Sequence, residues 1–320
     1  MDREKVMAFG AIFAIAIMIG SAVLMGLPAL LTGDVGNSGG NYKEVNIKLS
    51  DYKDGTNISI NSIKDGLKYI PDGTYKVHYT KQVPLAGQQF YNNTSQLDSI
   101  LRADVYTSIA DKDGKPQIMV HPLEFHQFED YNNVSVDAVM TGSGRFPIYN
   151  NHTLIAKGNV SDPANMSYQV AGNPSIVGSY YMTVTALDII DGKRLPTSSF
   201  NTIANHIDDT VDYEYEYLIM GVNDFKTYYE SVFKDSENRH VRTWLFEDLT
   251  DDAKERVKVE VNAENEYEGL VKTYTEIDDK VTKIEVKSQK YSDFDNVSKK
   301  IKEAIRGPVE TETETETPTE

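Results

Sequence analysis

The sequence predicts a mainly β protein with an N-terminal transmembrane helix, an antiparallel β-sandwich ectodomain and a small C-terminal α+β module. Three observations support this prediction. Residues 6–32 form an apolar run without an ionisable side chain. Residues 45–222 contain short apolar or alternating segments separated by turn residues, a pattern typical of antiparallel sheets. From 223 to 307, segments with strand and helix periodicity alternate.

The apolar run at 6–32 is long enough to cross a membrane as one helix. A helix rises about 1.5 Å per residue, and the hydrocarbon core of a bilayer is about 30 Å thick. Arg3 and Lys5 lie among residues 1–5, whereas residues 33–41 contain no Lys or Arg. By the positive-inside rule, residues 1–5 are cytoplasmic and the chain after the helix is extracellular, in a single-pass cell-membrane protein. A signal peptide cleaved near Ala22 and a pilin-type leader are the alternatives.

Asparagine-linked glycosylation motifs give a second signal for export. Eight Asn-x-Ser/Thr motifs are present, where chance would give roughly three. Such acceptors occupy surface segments of exported proteins, so we predict a glycosylated exterior. The candidate sites are Asn57, Asn92, Asn93, Asn133, Asn151, Asn159, Asn165 and Asn296.

Composition excludes several classes of function. The formal net charge is −17, with 32 Lys and Arg against 49 Asp and Glu, so a basic surface for nucleic acid is not expected. The chain contains no Cys, which excludes disulfides, zinc–thiolate sites, iron–sulfur clusters and a thiol nucleophile. The stability of an exported domain must therefore come from its core.

Residues 33–44, rich in Gly and polar side chains, are expected to form a flexible stalk. Beyond it, Asp-Gly pairs at 65–66, 72–73, 113–114 and 191–192 favour tight hairpins, and hence antiparallel neighbours. One short helix is expected at 95–102. The predicted strands of the β-sandwich at 45–222 are 75–80, 104–110, 117–125, 134–140, 153–156, 180–190 and 213–220.

The α+β module at 223–307 is predicted from a change of pattern. Aromatic residues at helical spacing indicate a helix at 224–234. Strands are then expected at 240–246 and 280–289, and helices at 250–259 and 294–305. The tail at 308–320 repeats Glu and Thr and is expected to be disordered.

The segment from Phe246 to Val257 reads FEDLTDDAKERV. It resembles a pattern of archaeal membrane and surface proteins in which an aromatic-acidic turn leads into an amphipathic helix. The resemblance covers about 65 residues and implies a membrane-anchored surface protein. It implies no activity and assigns no functional residue.

Few residues suggest catalysis or metal binding. Glu124, His126 and Asp130 fall at even spacing, so on a strand they could share one face and bind a metal or form a proton-transfer pair; a polar strand face explains the same residues. The run at 111–114 resembles the start of a calcium loop, although a hairpin turn explains it as well. No catalytic motif, and no cofactor other than calcium, is indicated.

Tyr213, Tyr215 and Tyr217 alternate with acids. On a regular strand the three rings would share one face and the acids Glu214 and Glu216 the other. The rings could then bind a sugar or a protein, or pack in the core. We therefore expect a non-catalytic surface protein serving adhesion, envelope structure or binding of a protein or carbohydrate partner. An accessory subunit of a membrane complex and a membrane-tethered hydrolase or substrate-binding protein are the alternatives. The oligomeric state is left open.

Overall fold

The computed structural model describes residues 42–52, 56, 58–83, 97–110, 116–140, 143–158, 166–221, 224–265 and 267–307. The segments 1–5 and 6–32, the first part of the stalk and the tail at 308–320 lie outside the described residues. Within the described ranges, no helix is both long and apolar enough to span a membrane. The first strand begins at Lys43, inside the predicted stalk.

The described chain is mainly β, as predicted. Twelve strands form one large antiparallel sheet, and two further strands pair separately. In chain order the elements are β1 (Lys43–Lys48), α1 (Ile63–Gly66), β2 (Thr74–Val83), β3 (Leu97–Ala110), β4 (Pro116–Phe128), β5 (Ser135–Met140), β6 (Ile148–Tyr149), β7 (His152–Lys157), β8 (Ser167–Val170), β9 (Ser175–Gly178), α2 (Tyr180–Ile190), α3 (Asn201–Ala204), β10 (Tyr213–Met220), β11 (Thr227–Lys234), β12 (His240–Glu247), α4 (Asp251–Asn262), β13 (Val271–Glu276), β14 (Val281–Ser288) and α5 (Tyr291–Arg306).

The chain divides into two compact units. Of the described residues, those within 42–60, 65–77 and 81–198 belong to the first unit, and those within 61–64, 78–80 and 199–307 belong to the second. Strand β10 lies in the second unit, where it pairs with β11.

The first unit is layered. Its strands follow the order β3-β4-β9-β8-β7-β6. On one side, α2 packs on β9, β8 and β4. The antiparallel pair β1–β5 shares a separate apolar core with this sheet, and the core therefore contains residues from both sheets. Its buried members are Leu49, Leu97, Phe128, Val134, Val136, Ala138, Phe146, Ile155 and Ala171.

The second unit packs two helices on a sheet of order β13-β14-β12-β11-β10. Thr250 caps α4 by accepting a hydrogen bond from the Ala253 N–H, and Asp251 and Asp252 lie in the first turn, where the helix dipole favours negative charge. The predicted strands and helices from 240 onward are confirmed. The buried cluster between helices and sheet contains Trp244, Phe246, Leu249, Ala253, Val257, Val261, Leu270, Ile284, Val286, Phe294, Val297, Ile301 and Ile305.

Six of the predicted strands before 222 are also confirmed, in β2, β3, β4, β5, β7 and β10. The strand expected at 180–190 is wrong, because this segment is helix α2. Ser179 caps it by accepting a hydrogen bond from the Met182 N–H. Gly192, with φ +72, donates its N–H to the Ile189 carbonyl. The Asp-Gly pair at 191–192 therefore ends a helix instead of turning a hairpin.

The two helices expected at 95–102 and 224–234 are also wrong. From Leu97 onward the chain pairs with β4 along the whole of β3, and from Thr227 it forms β11, which pairs with β10 on one side and β12 on the other. Sheet pairing satisfies the backbone groups of both segments and overrides the local helical spacing of their apolar residues.

Candidate functional site

Glu124 and His126 share one face of β4, as their spacing predicted. His126 Nε2 lies 2.8 Å from Glu124 Oε2, and His126 is only 2 % exposed. Burial would raise the pKa of Glu124, but the hydrogen bond with His126 and the charges of His126 and Arg102 outweigh it and lower the pKa. A carboxylate held ionised beside a buried ring is poorly suited to exchanging protons with a substrate.

Asp130 does not join Glu124 and His126. It lies beyond the end of β4, where its side chain accepts a hydrogen bond from Asn133 Nδ2 at 2.7 Å. Within the described part of the chain, no three His, Cys, Asp or Glu residues are grouped so that they could hold a metal ion. The candidate calcium loop at 111–114 lies outside the described residues.

Alternating charges extend from Glu124 across β3 to β2. Arg102 contacts Glu124 Oε1 at 3.2 Å through Nη1 and Asp104 Oδ1 at 3.0 Å through Nε; Lys76 Nζ lies 2.5 Å from Asp104 Oδ2. Burial alone would raise the pKa of Asp104, but the hydrogen bonds from Lys76 and Arg102 lower it. We call Lys76, Arg102, Asp104, Glu124 and His126 the charged row. Each acid in it is paired, which indicates a structural network.

A second polar group lies wholly inside the first unit. Lys157, Gln169 and Ser175 are each 0 % exposed. Lys157 Nζ donates to Gln169 Oε1 at 2.9 Å, and Gln169 Nε2 donates to Ser175 Oγ at 2.7 Å. We call these three residues the buried triad. The sequence did not predict it. A signal was present, because Lys157 lies two residues after Ile155 and the two side chains share a face of the strand, which is buried at Ile155.

Burial in the triad has a marked effect on its amine. Desolvation lowers the pKa of Lys157 to about 7, against the opposing effect of the negative charges of Asp137 and Glu124. An ammonium ion without water loses most of its solvation energy, so the neutral form becomes competitive. At neutral pH a substantial fraction of Lys157 is therefore an unprotonated amine, which is a nucleophile.

The distal part of the β3–β4 hairpin exposes apolar side chains. Ile118 is 61 % exposed, Met119 44 %, Val120 48 % and Tyr106 37 %. We call these four residues the apolar hairpin end. The Tyr106 ring stacks on Tyr75, with centroids 3.7 Å apart. The sequence predicted the strand at 117–125 but not this exposure.

No formal charge lies in the two strand segments that form this end. Residues 105–110 and 116–123 contain no Asp, Glu, Lys or Arg, and burial lowers the pKa of His121, which keeps this ring neutral. Strand β4 pairs with β3 along its length but with β9 only from Leu123 to His126. Among the described residues, the outer edge of β4 before Leu123 has no strand beside it.

The tyrosines of β10 do not share one face as expected. A register shift between Tyr213 and Tyr215 places Tyr213 and Glu216 in the interior, with Glu216 0 % exposed. Glu216 accepts hydrogen bonds from the Ile63 N–H and the Tyr229 hydroxyl, each at 2.8 Å. The expectation that the acids lie on the opposite face is wrong for Glu216, because the bulge changes the alternation.

Three candidate glycosylation sites lie in the described chain. Asn151, with φ +67, occupies the tight turn between β6 and β7, and Asn133 is exposed before β5. Asn296 is exposed on α5. The serine of its motif, Ser298, is buried, and its hydroxyl donates to the Phe294 carbonyl at 2.7 Å. The sites outside the described residues are Asn57, Asn92, Asn93, Asn159 and Asn165.

Comparisons with protein-family models, with curated proteins and with solved structures found no match for this chain. Any function must therefore follow from the residues and geometry described above.

Proposed function

We propose that the chain is a membrane-anchored extracellular protein that binds a partner protein and does not catalyse a reaction. In this proposal residues 6–32 span the cell membrane, residues 1–5 are cytoplasmic, and a glycosylated β-sandwich ectodomain with its α+β module lies outside. The observation that carries the binding role is the apolar hairpin end, whose side chains are exposed and whose two strand segments, 105–110 and 116–123, carry no formal charge.

Support for the topology comes from the charge asymmetry around 6–32 and from the excess of glycosylation motifs. Asn133 and Asn151 are exposed on turns, where a bulky glycan would not disturb a core. The absence of Cys in the whole sequence is compatible with export, because the two large buried clusters can provide stability instead.

Support for binding comes from a contrast in charge. The chain has a net charge of −17 and 25 % charged residues, yet the strand segments of the apolar hairpin end have none. Exposed strand edges without charges are prone to pair with other chains, and soluble proteins usually protect them. A partner protein that adds an uncharged, apolar strand to the edge of β4 would satisfy both its backbone groups and its side chains.

The hydrolase alternative has weaker support. Its residues would be Glu124 and His126, but His126 is 2 % exposed and Glu124 is engaged by Arg102 at 3.2 Å. An accessory subunit of a membrane complex differs from our proposal only in where the partner lies, since the same edge could bind another subunit.

Protease treatment of intact cells tests the topology. We expect the chain beyond 42 to be released and residues 1–32 to remain in the membrane, with glycans on Asn133 or Asn151. Asn296 is the internal control, because its motif lies within a helix and the hydroxyl of Ser298 is not accessible; we expect it to be unoccupied. Protection of the whole ectodomain from protease would refute the proposed location.

Substitution of Ile118 by Lys tests the binding surface. Leu195→Lys is the matched control, since Leu195 is 86 % exposed outside the hairpin. In cells producing each variant, we expect chemical cross-linking to give a defined adduct with the wild type and with Leu195→Lys, and to lose it with Ile118→Lys. An adduct that persists in Ile118→Lys would exclude this surface, and a glycan in place of a protein would exclude the proposed partner class.

A further inference from the structure

We propose that Lys157 and Gln169 join covalently, forming an intramolecular amide cross-link between β7 and β8. The cross-link is a self-catalysed modification of the folded chain, and it is independent of the proposed binding function. The geometry of the buried triad and the chemistry of its three side chains carry the proposal.

The two reacting side chains are held together by the strand pairing. Ile155 lies opposite Gln169, and Lys157 lies opposite Ser167, so Lys157 and Gln169 are diagonal neighbours on one face of adjacent antiparallel strands. Lys157 Nζ is 2.9 Å from the carboxamide oxygen. The terminal torsion of Gln is soft, so the carboxamide plane can turn and present the face of its carbonyl carbon, the atom that carries Oε1, to Nζ. Attack on such a carbon occurs at a separation of about 3–3.5 Å.

The environment favours the neutral amine and excludes water. Both side chains are 0 % exposed, so neither hydrolysis nor an external amine competes with the internal reaction. Desolvation lowers the pKa of Lys157 to about 7, and an unprotonated lone pair is therefore available at neutral and mildly alkaline pH. The neutral amide product removes the cost of enclosing an ammonium ion.

The reaction needs no oxidant and no further reagent. The lone pair of Lys157 Nζ attacks Cδ of Gln169; the Nζ–Cδ bond forms and the Cδ–Nε2 bond breaks. One proton passes from Nζ to Nε2, which leaves as ammonia. Atoms and charge balance, because an amine and a primary amide become a secondary amide and ammonia.

Ser175 is placed to relay the proton to the leaving nitrogen. Its Oγ accepts from Gln169 Nε2 at 2.7 Å and donates to the Val170 carbonyl at 2.6 Å. The hydroxyl therefore touches the departing group. When its O–H turns from the Val170 carbonyl to Nε2 it can donate the proton with which ammonia leaves, and the proton that Nζ loses then restores the hydroxyl. The charge of Glu124 also acts on Lys157, which stabilises the positive charge that Nζ acquires as it attacks.

Mass spectrometry of the full chain tests the proposal. The chain is made in a bacterial host without N-glycosylation and held folded at about pH 8.5, where Lys157 is largely neutral. We expect the intact mass to fall by one ammonia. Trypsin should then fail to cleave after Lys157 and should release residues 146–193 as one peptide, lighter by one ammonia, with fragmentation locating the link at Lys157 and Gln169.

Three variants sharpen the result. Lys157→Met should keep the full mass, whereas Lys68→Met, which removes an exposed amine, should still lose ammonia. Ser175→Ala should slow the loss by roughly a hundredfold if the hydroxyl relays the proton; an unchanged rate would overturn that role. Two results with the wild-type chain would overturn the cross-link. One is a full intact mass together with tryptic cleavage after Lys157, and the other is a loss of ammonia located at an Asn. Neither result depends on whether a variant folds.

Discussion

Replacing Asp104 by Asn tests whether the charged row is a structural network. Asp104 is 2 % exposed and is paired with Lys76 and Arg102. Asn has nearly the same shape, so the change removes the negative charge and one acceptor without making a cavity. The two cations keep partial contact with water, since their side chains are 31 % and 45 % exposed.

The expected loss of stability follows from the hydrogen bonds that Asp104 accepts. Each bond to an ionised group contributes about 1.5–3 kcal/mol. One neutral acceptor remains in Asn, and the exposed cations regain part of their solvation. We therefore expect Asp104→Asn to lower the free energy of unfolding by about 2–3 kcal/mol at pH 7.

The loss of stability in Asp104→Asn should depend on pH in a definite direction. The pKa of Asp104 is lowered in the folded state, so the folded protein binds this proton less readily than the unfolded chain. The resulting stability is present above the ordinary pKa of an aspartate, about 3.9, and is lost as pH falls through the lower folded value. Wild type and variant should therefore converge in urea unfolding at acid pH.

Asp191→Asn is the matched control. Asp191 also contacts a Lys at 2.9 Å, and its pKa is also lowered, but its side chain is 26 % exposed. Its substitution should cost less than about 1 kcal/mol, the usual value of a surface pair. Equal losses for the two variants, or a loss at Asp104 that does not change with pH, would refute the role given to burial.

Two further substitutions test particular contacts by urea unfolding. Gly172→Ala should cost more than about 3 kcal/mol, because φ is +139 and a Cβ would lie 2.6–2.8 Å from atoms of Thr56; Gly192→Ala, at φ +72 with nothing within 4 Å, should cost only about 1 kcal/mol. Comparable costs would show that steric contact does not matter at Gly172. Glu216→Gln should cost about 1–3 kcal/mol, since the Ile63 N–H and the Tyr229 hydroxyl each bond a different carboxyl oxygen and an amide nitrogen in place of one oxygen leaves a buried donor unpaired; an unchanged midpoint would contradict that account.

The predictable part of the fold was the part in which local pattern and sheet pairing agree. Segments of alternating residues such as 134–140 became strands, and the capped segment after Thr250 became a helix. At 180–190 apolar residues are interrupted by Thr183, Thr185 and Asp188, and a short segment of this kind fits both a strand and a helix. The end signals were present in Ser179 and Gly192, but the Asp-Gly pair fits both a hairpin and a helix end.

The site was less predictable because its members come from several strands. Alternation within β4 was enough to place Glu124 and His126 together. It could not bring Lys157 to Gln169 and Ser175, because that requires the order and register of β7, β8 and β9. Nor could it foresee the bulge in β10, which moves Glu216 from the expected outer face into the interior.

One sheet face in the first unit explains why these polar groups are buried together. Ser175 lies opposite His126 across β4 and β9, and Gln169 shares a face with Ser175 through their hydrogen bond. The charged row and the buried triad therefore occupy the same face, whereas α2 packs on the other. The β1–β5 pair shares a core with this polar face, and Asp137 of β5 acts on the charge of Lys157. Burial is what makes this amine neutral, so loosening of β1–β5 would hydrate Lys157, restore an ordinary pKa and stop the cross-link from forming.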